Sequence, residues 1–231
     1  MKSLIEKIFK NYYNTIINIE HRRISKIIQS LFADKKIRLL DIGSGMCSFL
    51  QYARKQHSNI EFAAVDINTD LVNVAKNLGF DSQQASITKL PFEDCSFDIV
   101  HCSHVIEHLQ YPDIATALDE IFRIVKKDGL IIIRSPLAIN HRFFNDIDHV
   151  RPYPPLAIIS YFSNPQQQKT GAYSIKEISR YYTRVAFEIN YYRYYNFLTR
   201  ILNIIFKISW TYIRFPFSKP NNYGLFIKKL T

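Results

Sequence analysis

The residues that most clearly predict chemistry lie between Leu39 and Leu50, where an apolar run ends in Asp41 and is followed by Gly43 and Gly45. The chain has only six glycines, so two of them one residue apart form a concentrated signal. Glycine lacks the Cβ that would hinder a tight turn or the close approach of a ligand. A helix after this turn would direct free N–H groups and a positive dipole towards it. The segment therefore predicts a strand, a turn and a helix that cradle a nucleotide-type cofactor.

The spacing separates this turn from the dinucleotide fingerprint, which is G-x-G-x-x-G with an acid about 20 residues further on. Ser48 stands where the third glycine would be, and an acid precedes the first glycine. Asp-x-Gly-x-Gly instead resembles the first motif of the class I methyltransferases, which bind S-adenosylmethionine. That motif usually carries a third glycine, and Cys47 takes its place here. The resemblance implies S-adenosylmethionine as the cofactor, with contacts at Asp41, Gly43 and Gly45.

A second apolar run, Ile60 to Asp66, also ends in an acid and predicts a second buried strand. Asp66 stands where the family's second-strand acid hydrogen-bonds the two ribose hydroxyls. A carboxylate suits a diol and would repel a phosphorylated cofactor. The alternative is that Asp66 caps the helix predicted from Thr69 to Leu78, because Asp is a common N-cap residue.

Residues 89–109 and 117–136 resemble further landmarks of the same family. Residues 89–109 carry Leu90-Pro91-Phe92, Ser96-Phe97-Asp98 and His104-Val105-Ile106-Glu107-His108, and residues 117–136 are similar to the family's helix, turn and fifth strand. The resemblance implies further cofactor contacts at Ile67, Ser86, Ile87, Ser103 and His104, the last two near the methionine end. Ser86 replaces the acid that usually holds the adenine amino group, although its hydroxyl can still accept one hydrogen bond.

His104-Val105-Ile106-Glu107-His108 also fits H-x-x-E-H, the inverted signature of zinc proteases. On a helix, His104 and His108 would lie four residues apart and could share a metal ion. A third ligand is required, and no downstream helix offers an obvious one. We therefore expect no metal site, because the methyltransferase resemblance already accounts for this segment.

The acceptor site is expected beyond the fifth strand, where residues 141–154 are rich in polar and aromatic side chains. Asp146-x-x-His149-x-Arg151-Pro152-Tyr153 is similar to a string in methyltransferases that act on bacterial surface glycans and lipid-linked sugars. A sugar hydroxyl must lose its proton as the methyl group arrives, and a histidine is suited to accept it. His149 is the first candidate for this base and His141 the second. The alternative is that His149 and Arg151 fix the loop to Asp146 or Asp148.

The order of these elements predicts an α/β fold, a Rossmann-like, doubly wound sheet of seven strands whose last strand is antiparallel. Residues 1–231 are expected to form one methyltransferase domain, with a helical leader over residues 1–30. A helix is predicted from Ser174, the sixth strand over residues 185–189 and the seventh over residues 223–229. Three cysteines without metal-like spacing and the lack of a secretory signal favour a cytoplasmic protein without disulfides.

A helical insert, residues 193–221, separates the predicted sixth and seventh strands. Residues 197–217 are apolar apart from a few polar side chains and include Arg200, Lys207 and Arg214 at seven-residue steps, which keeps the three cations on one helical face. The cations make a membrane span costly. A helix lying in the membrane interface and a helix packed on the domain or on a partner both fit. The interface position would make the protein peripheral to the inner face of the membrane.

These residues predict an S-adenosylmethionine-dependent methyltransferase that O-methylates a sugar or lipid-linked glycan in cell-surface polysaccharide biosynthesis. The alternatives are a methyltransferase of another small molecule such as a quinone precursor, and a non-catalytic protein that keeps the fold and binds a membrane or a partner. The net charge of +10 is compatible with nucleic acid. However, no Arg/Lys block and no Asn/Asp-Pro-Pro-Tyr signature supports that partner.

Overall fold

The computed structural model describes residues 2–33, 35–138, 143–164, 166, 173–188, 197–215 and 217–231. Within them lie the strands β1 Ile37–Ile42, β2 Ile60–Asp66, β3 Asp81–Gln84, β4 Phe97–Ser103, β5 Val125–Pro136, β6 Ile175–Thr183 and β7 Asn222–Lys229. The α-helices are α1 Lys2–Phe32, α2 Ser48–Gln56, α3 Thr69–Asn77, α4 Asp113–Ile124, α5 Pro155–Ser163 and α6 Phe197–Ile213. Short 3-10 helices cover Ile106–His108 and Phe143–Asn145.

The seven strands form one sheet in the order β3-β2-β1-β4-β5-β7-β6. β1 is parallel to β2 and β4, β2 to β3 and β4 to β5, whereas β7 is antiparallel to both β5 and β6. The predicted Rossmann-like α/β sheet with an antiparallel last strand is therefore confirmed. The chain changes direction across the sheet between β1 and β4. Open α/β sheets bind ligands at such a point, at the carboxyl ends of the strands.

Helices cover both faces of the sheet and give it two apolar cores. Leu40, Val100 and Ile131 point into the core that α4 and α5 cover, together with Ile121 and Phe162. The neighbouring strand residues Leu39, Ile99 and Ile132 enter the opposite core, which α1, α2 and α3 cover. Because successive side chains of a strand face opposite sides, strands buried on both faces are apolar throughout. This pattern explains why the sequence identified the central strands correctly.

The sequence prediction is wrong between residues 174 and 188. Residues Ile175–Thr183 form the edge strand β6, not a helix, and pair with β7. Of the predicted sixth strand, Ala186 makes only an isolated bridge to Phe217, and Ile189 lies outside the described residues. A bulge between Glu177 and Ser179 shifts the register and interrupts the two-residue period. Pairing with β7 outweighs the helix propensity of the Lys, Glu and Arg side chains in this segment.

α1 and α6 pack against each other at the edge of the sheet. Tyr12 of α1 is buried and its ring lies 5.4 Å from that of Trp210 of α6. Lys207 is also buried there, with Nζ 2.7 Å from Glu188 Oε1 and 4.1 Å from the centre of the Phe9 ring. The sequence placed Arg200, Lys207 and Arg214 on one helical face; at Lys207 this face is turned towards α1, and Arg214 follows the end of α6 with φ +60°. No helix among the described residues is long and apolar enough to cross a membrane.

Candidate cofactor site

The turn after β1 has the backbone that its two glycines predict. Gly43 has φ +68° and Gly45 φ +51°, a region that residues with a Cβ rarely adopt. A Cβ on Gly43 would lie 2.3 Å from Val105 Cγ2, which is closer than real atoms approach. A Cβ on Gly45 would meet nothing within 4 Å. The turn therefore packs tightly on one side and faces open space at Gly45, which is where a ligand could approach the backbone.

Cys47 shows why a glycine is usual at the third position of the motif. It is the N-cap of α2 and has φ +56° and ψ +30°, the left-handed conformation that costs a residue with a Cβ about 1–2 kcal/mol. Its side chain is fully buried in the core beneath the turn, and this burial raises the pKa of the thiol. The cysteine therefore preserves the backbone path of the cradle, and the departure from the family motif leaves the turn intact.

Asp66, at the end of β2, ties the two turns together. Its Oδ2 accepts a hydrogen bond from Gly45 N at 2.9 Å, and its Oδ1 accepts one from Asn68 N at 3.0 Å. The N-cap of α3 is Asn68, whose side chain accepts from Asp70 N at 2.8 Å, so the alternative that Asp66 caps this helix is wrong. Each carboxylate oxygen of Asp66 keeps a further lone pair. A ribose diol bound above Gly45 can use these lone pairs.

Asp41 pairs with a histidine that was not among the residues predicted from the sequence. Asp41 Oδ1 lies 2.7 Å from His101 Nδ1, and both side chains are buried. The ring of His101 lies 4.2 Å from that of Phe49 in α2. Its Nε2 has no hydrogen-bond partner among the described residues. The Asp41–His101 pair thus joins β1 to β4 beneath the cradle, and the isolated histidine in the apolar strand Phe97–Ser103 was the available signal.

Three other predicted contacts border the same edge. Ile67, directly after β2, is 71% exposed, as expected of an apolar side chain that could cover one face of a base. Ile87 is buried in the core. The Ser86 hydroxyl lies 2.8 Å from Thr88 Oγ1 and accepts from Thr88 N at 3.2 Å, so it shapes its own turn.

Ser103 and His104, at the end of β4, lie beside a buried ionic network. Ser103 Oγ accepts a hydrogen bond from Arg134 Nη1 at 3.0 Å, and Arg134 also pairs with Glu20 of α1. Thr183 donates to Glu20 Oε1 at 2.6 Å. Burial acts to raise the pKa of Glu20, but the positive charge of Arg134 and the Thr183 hydroxyl outweigh it and lower that pKa. The network attaches α1 to β5 and β6 directly behind the predicted methionine end.

His104 does not lie on a helix, contrary to the alternative considered from the sequence. Its φ is +56°, and only residues 106–108 form a 3-10 turn. Its Nδ1 lies 3.2 Å from Oε1 of the buried Glu107. The i, i+4 geometry of a zinc-protease helix is therefore absent from this segment.

The predicted acceptor loop is attached to this 3-10 turn. The backbone N–H groups of Val150 and Arg151 donate to Glu107 O at 2.9 and 3.2 Å, and Tyr153 donates to Leu109 O at 2.9 Å. His149 Nδ1 lies 2.7 Å from Phe143 O, and its Nε2 lies 3.7 Å from Asp146 Oδ2. The predicted second candidate, His141, lies outside the described residues.

The carboxyl edge of β1, β2 and β4 therefore holds an open glycine turn, a carboxylate beneath it and an exposed apolar rim. These features fit the nucleoside part of S-adenosylmethionine. Residues 40–133 also match the family model described as Methyltransferase domain, Methyltransf_11. Residues 40–133 therefore carry a methyltransferase domain of the class I, S-adenosylmethionine-dependent type. The fold and this domain imply S-adenosylmethionine as its cofactor.

Known proteins resemble this methyltransferase domain in sequence and in fold. An uncharacterized protein of Methanocaldococcus jannaschii, MJ0638, is 31% identical over 151 residues, 60% of this chain and 61% of that protein. The ubiquinone/menaquinone biosynthesis C-methyltransferase UbiE of Rickettsia felis is 30% identical over 120 residues, 47% of this chain and 48% of that one. The match therefore spans less than two thirds of either relative.

The fold extends further than these sequence matches. The crystal structure of a SAM-dependent methyltransferase from Archaeoglobus fulgidus has a TM-score of 0.61 and 22% identity, covering 92% of this chain and 94% of that one. At this identity the likeness concerns the fold alone.

Proposed function

We propose that this protein is an S-adenosylmethionine-dependent methyltransferase that O-methylates a sugar or lipid-linked glycan in cell-surface polysaccharide biosynthesis. The observation that carries the enzyme class is the Gly43–Gly45 turn, whose second glycine donates to Asp66 and faces open space. The polar loop from Asp146 to Arg151 supports the acceptor class, because it offers imidazole, carboxylate and guanidinium groups at the same edge of the sheet.

When bound, the cofactor supplies a methyl group that its sulfonium already activates for transfer. The protein must then bind the cofactor and the acceptor, align the acceptor oxygen with the methyl group and exclude water. Such positioning supplies much of a rate acceleration. Gly45 and Asp66 hold the nucleoside, while Ser103 and His104 border the methionine end. Asp41 would support this edge of the sheet through the contact of its Oδ1 with His101.

His149 is the proposed base for the acceptor hydroxyl. Its Nδ1 is engaged by the Phe143 carbonyl, so its Nε2 carries the lone pair that can take a proton. His149→Ala should leave cofactor affinity within about twofold and slow methyl transfer by about 10²–10⁴-fold. Turnover equal to that of the unmodified protein would exclude this role. His141 remains the second candidate.

A quinone-type acceptor is the second candidate function. Similarity to UbiE, a quinone-biosynthesis C-methyltransferase, favours it. A quinone precursor would need an apolar acceptor pocket, and the charged loop over residues 146–151 argues against one. An acceptor screen with both glycans and demethylated quinones distinguishes the two functions by which class of acceptor yields methylated product.

A position at the inner surface of the membrane fits the lipid-linked form of the substrate. α6 exposes Phe197, Leu198 and Tyr212, which are each more than 60% exposed. A cavity of about 460 Å³ lies beside it, between α1 and residues 182–184, and Arg23, Arg184 and Arg214 line it together with apolar side chains. Aromatic side chains beside basic ones suit the headgroup region of an anionic bilayer. Co-sedimentation with anionic vesicles, and its loss in Phe197→Ser/Leu198→Ser, tests this position.

Calorimetric titration with S-adenosylhomocysteine tests the cofactor site first. We expect micromolar binding, with loss of affinity in Asp66→Ala. Asp66→Asn is the matched control, because it keeps an oxygen for Gly45 N while removing the charge that suits a ribose diol. No binding by the folded, unmodified chain would favour the non-catalytic alternative, for which Cys47 and Ser86 are the sequence support. Binding would make the acceptor screen the next step.

A further inference from the structure

We propose that Glu107, His108 and His149 form a binding site for one divalent transition-metal ion. One candidate ligand atom of each residue lies within 4.8 Å of those of the other two. The three residues come from two separate segments, the 3-10 turn after β4 and the loop after β5. Glu107 and His108 are neighbours in the sequence, and the fold brings His149 to them from 41 residues away.

The hydrogen bonds of the two imidazoles engage Nδ1 and leave Nε2 to bind a metal ion. His108 Nδ1 lies 3.0 Å from Asp148 O, and His149 Nδ1 lies 2.7 Å from Phe143 O. A carbonyl can only accept, so each Nδ1 carries the proton and each Nε2 keeps its lone pair. Metal-binding histidines are usually oriented in this way, with the second ring nitrogen donating to a carbonyl or carboxylate.

Glu107 supplies the charge. Its side chain is completely buried, and Oε2 accepts a hydrogen bond from Ser135 Oγ at 3.1 Å. Oε1 makes no hydrogen bond in the described structure, and its neighbour is the His104 ring nitrogen at 3.2 Å. A buried carboxylate is costly unless a cation or several donors compensate it. A metal ion would provide that compensation.

The backbone around the cluster is already fixed. Glu107 O accepts the N–H groups of Val150 and Arg151, which holds the loop carrying His149 against the turn carrying His108. Ligand atoms in a tetrahedral site with bonds of 2.0–2.1 Å lie about 3.4 Å apart, so separations of up to 4.8 Å must contract by at most about 1.4 Å. The exposed His108 side chain can rotate to supply this movement.

Two imidazole nitrogens and one carboxylate oxygen favour Zn²⁺, Co²⁺ or Fe²⁺ over Mg²⁺, which prefers oxygen ligands. Three protein ligands leave a fourth position open, as in catalytic rather than structural metal sites. The site revises the expectation of no metal, which rested on the lack of a third ligand in a downstream helix. His149 arrives instead from a loop.

The metal site deepens the proposed function, and its role in catalysis rests on that function. An imidazole bound to metal cannot also accept a proton. With the ion in place, His149 would therefore act as a ligand, and an acceptor hydroxyl at the open position would lose its proton to solvent water more readily. His108 then matters for turnover as much as His149, which a base formed by His149 alone does not require.

The test is Co²⁺ and Zn²⁺ titration of the tag-free, metal-stripped full chain, followed by visible absorption and calorimetry, with Mg²⁺ for comparison. We expect one site of micromolar or tighter affinity, weakened more than about tenfold in His108→Ala and His149→Ala. His104→Ala tests the neighbouring histidine, whose Nδ1 lies 3.2 Å from Glu107 Oε1 although it is not part of the cluster, and should weaken binding less than His108→Ala does. Circular dichroism checks folding, and His108→Ala decides the test if His149→Ala does not fold.

Two outcomes would overturn the site: no binding by the unmodified chain, or equal binding by the unmodified chain and His108→Ala. Loss of binding in His104→Ala with normal binding in His149→Ala would also overturn it and restore the H-x-x-E-H interpretation. S-adenosylhomocysteine titrated into the same samples separates the two proposals. Metal binding without cofactor binding would support the metal site and contradict the proposed methyltransferase activity. Cofactor binding without metal binding would support the proposed activity and contradict the metal site.

Discussion

Replacement of His21 by phenylalanine should make the protein less sensitive to acid. His21 lies on α1, buried against the rings of Phe49 and Tyr52 at 5.5 and 5.4 Å. Burial, followed by the positive charge of Arg134 and by His101, lowers its pKa from 6.5 to about 4. In the unfolded chain the imidazole titrates normally. Between pH 6.5 and 4 the unfolded state therefore binds more protons, and the folded state loses stability as the pH falls.

The size of this effect follows from the shift. One pKa unit corresponds to about 1.4 kcal/mol, so the whole shift is worth roughly 3 kcal/mol, of which about 2 kcal/mol is lost between pH 7.5 and 5. Phenylalanine suits the aromatic neighbours and cannot be protonated. Urea unfolding of both proteins across this pH range gives the difference in their free energies of unfolding. The contributions of the titratable groups that both proteins share cancel in this difference. Curves that stay parallel within about 0.5 kcal/mol would show that His21 is not buried as a neutral imidazole.

Substitutions at three further positions test the turn and the network behind it. Gly43→Ala should lower the free energy of unfolding by more than about 1 kcal/mol, because its Cβ would meet Val105 at 2.3 Å at φ +68°, and should weaken S-adenosylhomocysteine binding. Cys47→Gly should be more stable than Cys47→Ala by about 0.5–1 kcal/mol, since only glycine relieves the left-handed backbone; the reverse order would contradict this strain. Glu20→Gln keeps the oxygen that accepts from Thr183 but leaves the Arg134 charge without its carboxylate. It should lower the free energy of unfolding in urea by about 3 kcal/mol. A loss below about 1 kcal/mol would contradict a buried ion pair.

The parts of the fold that the sequence predicted are those where local pattern and tertiary burial agree. The central strands are apolar on both faces, so Leu39-Leu40 and Leu130–Ile133 indicate their place without further context. β6 lies at the edge of the sheet and depends on its pairing with β7. Its charged residues and its bulge carry no clear period of two. A strand that is stabilised mainly by a distant segment of the chain cannot be identified from its own composition.

The cofactor turn was predictable because its chemistry depends on the backbone, and glycine reveals backbone requirements directly. The ribose role of Asp66 stays a prediction, and the structure shows that its carboxylate accepts from Gly45 N and Asn68 N. The partner of Asp41 was not predicted, because His101 lies 60 residues away on β4. A charged or polar residue inside an apolar strand was the missing signal. Arg134 in β5 and His101 in β4 both meet that description, and both have buried ionic partners.

α1 connects these buried partners to the proposed cofactor site. Glu20 pairs with Arg134, which donates to Ser103 at the predicted methionine end. The next residue, His21, packs on Phe49 beneath the glycine turn. Successive residues of one helix thus support both ends of the cofactor site. Loss of either contact would shift the edge that the cofactor contacts, even though neither side chain is proposed to touch it. Loss of the Glu20–Arg134 pair in Glu20→Gln should therefore lower the affinity for S-adenosylhomocysteine more than the affinity for adenosine, which lacks the amino-acid end that Ser103 is proposed to border.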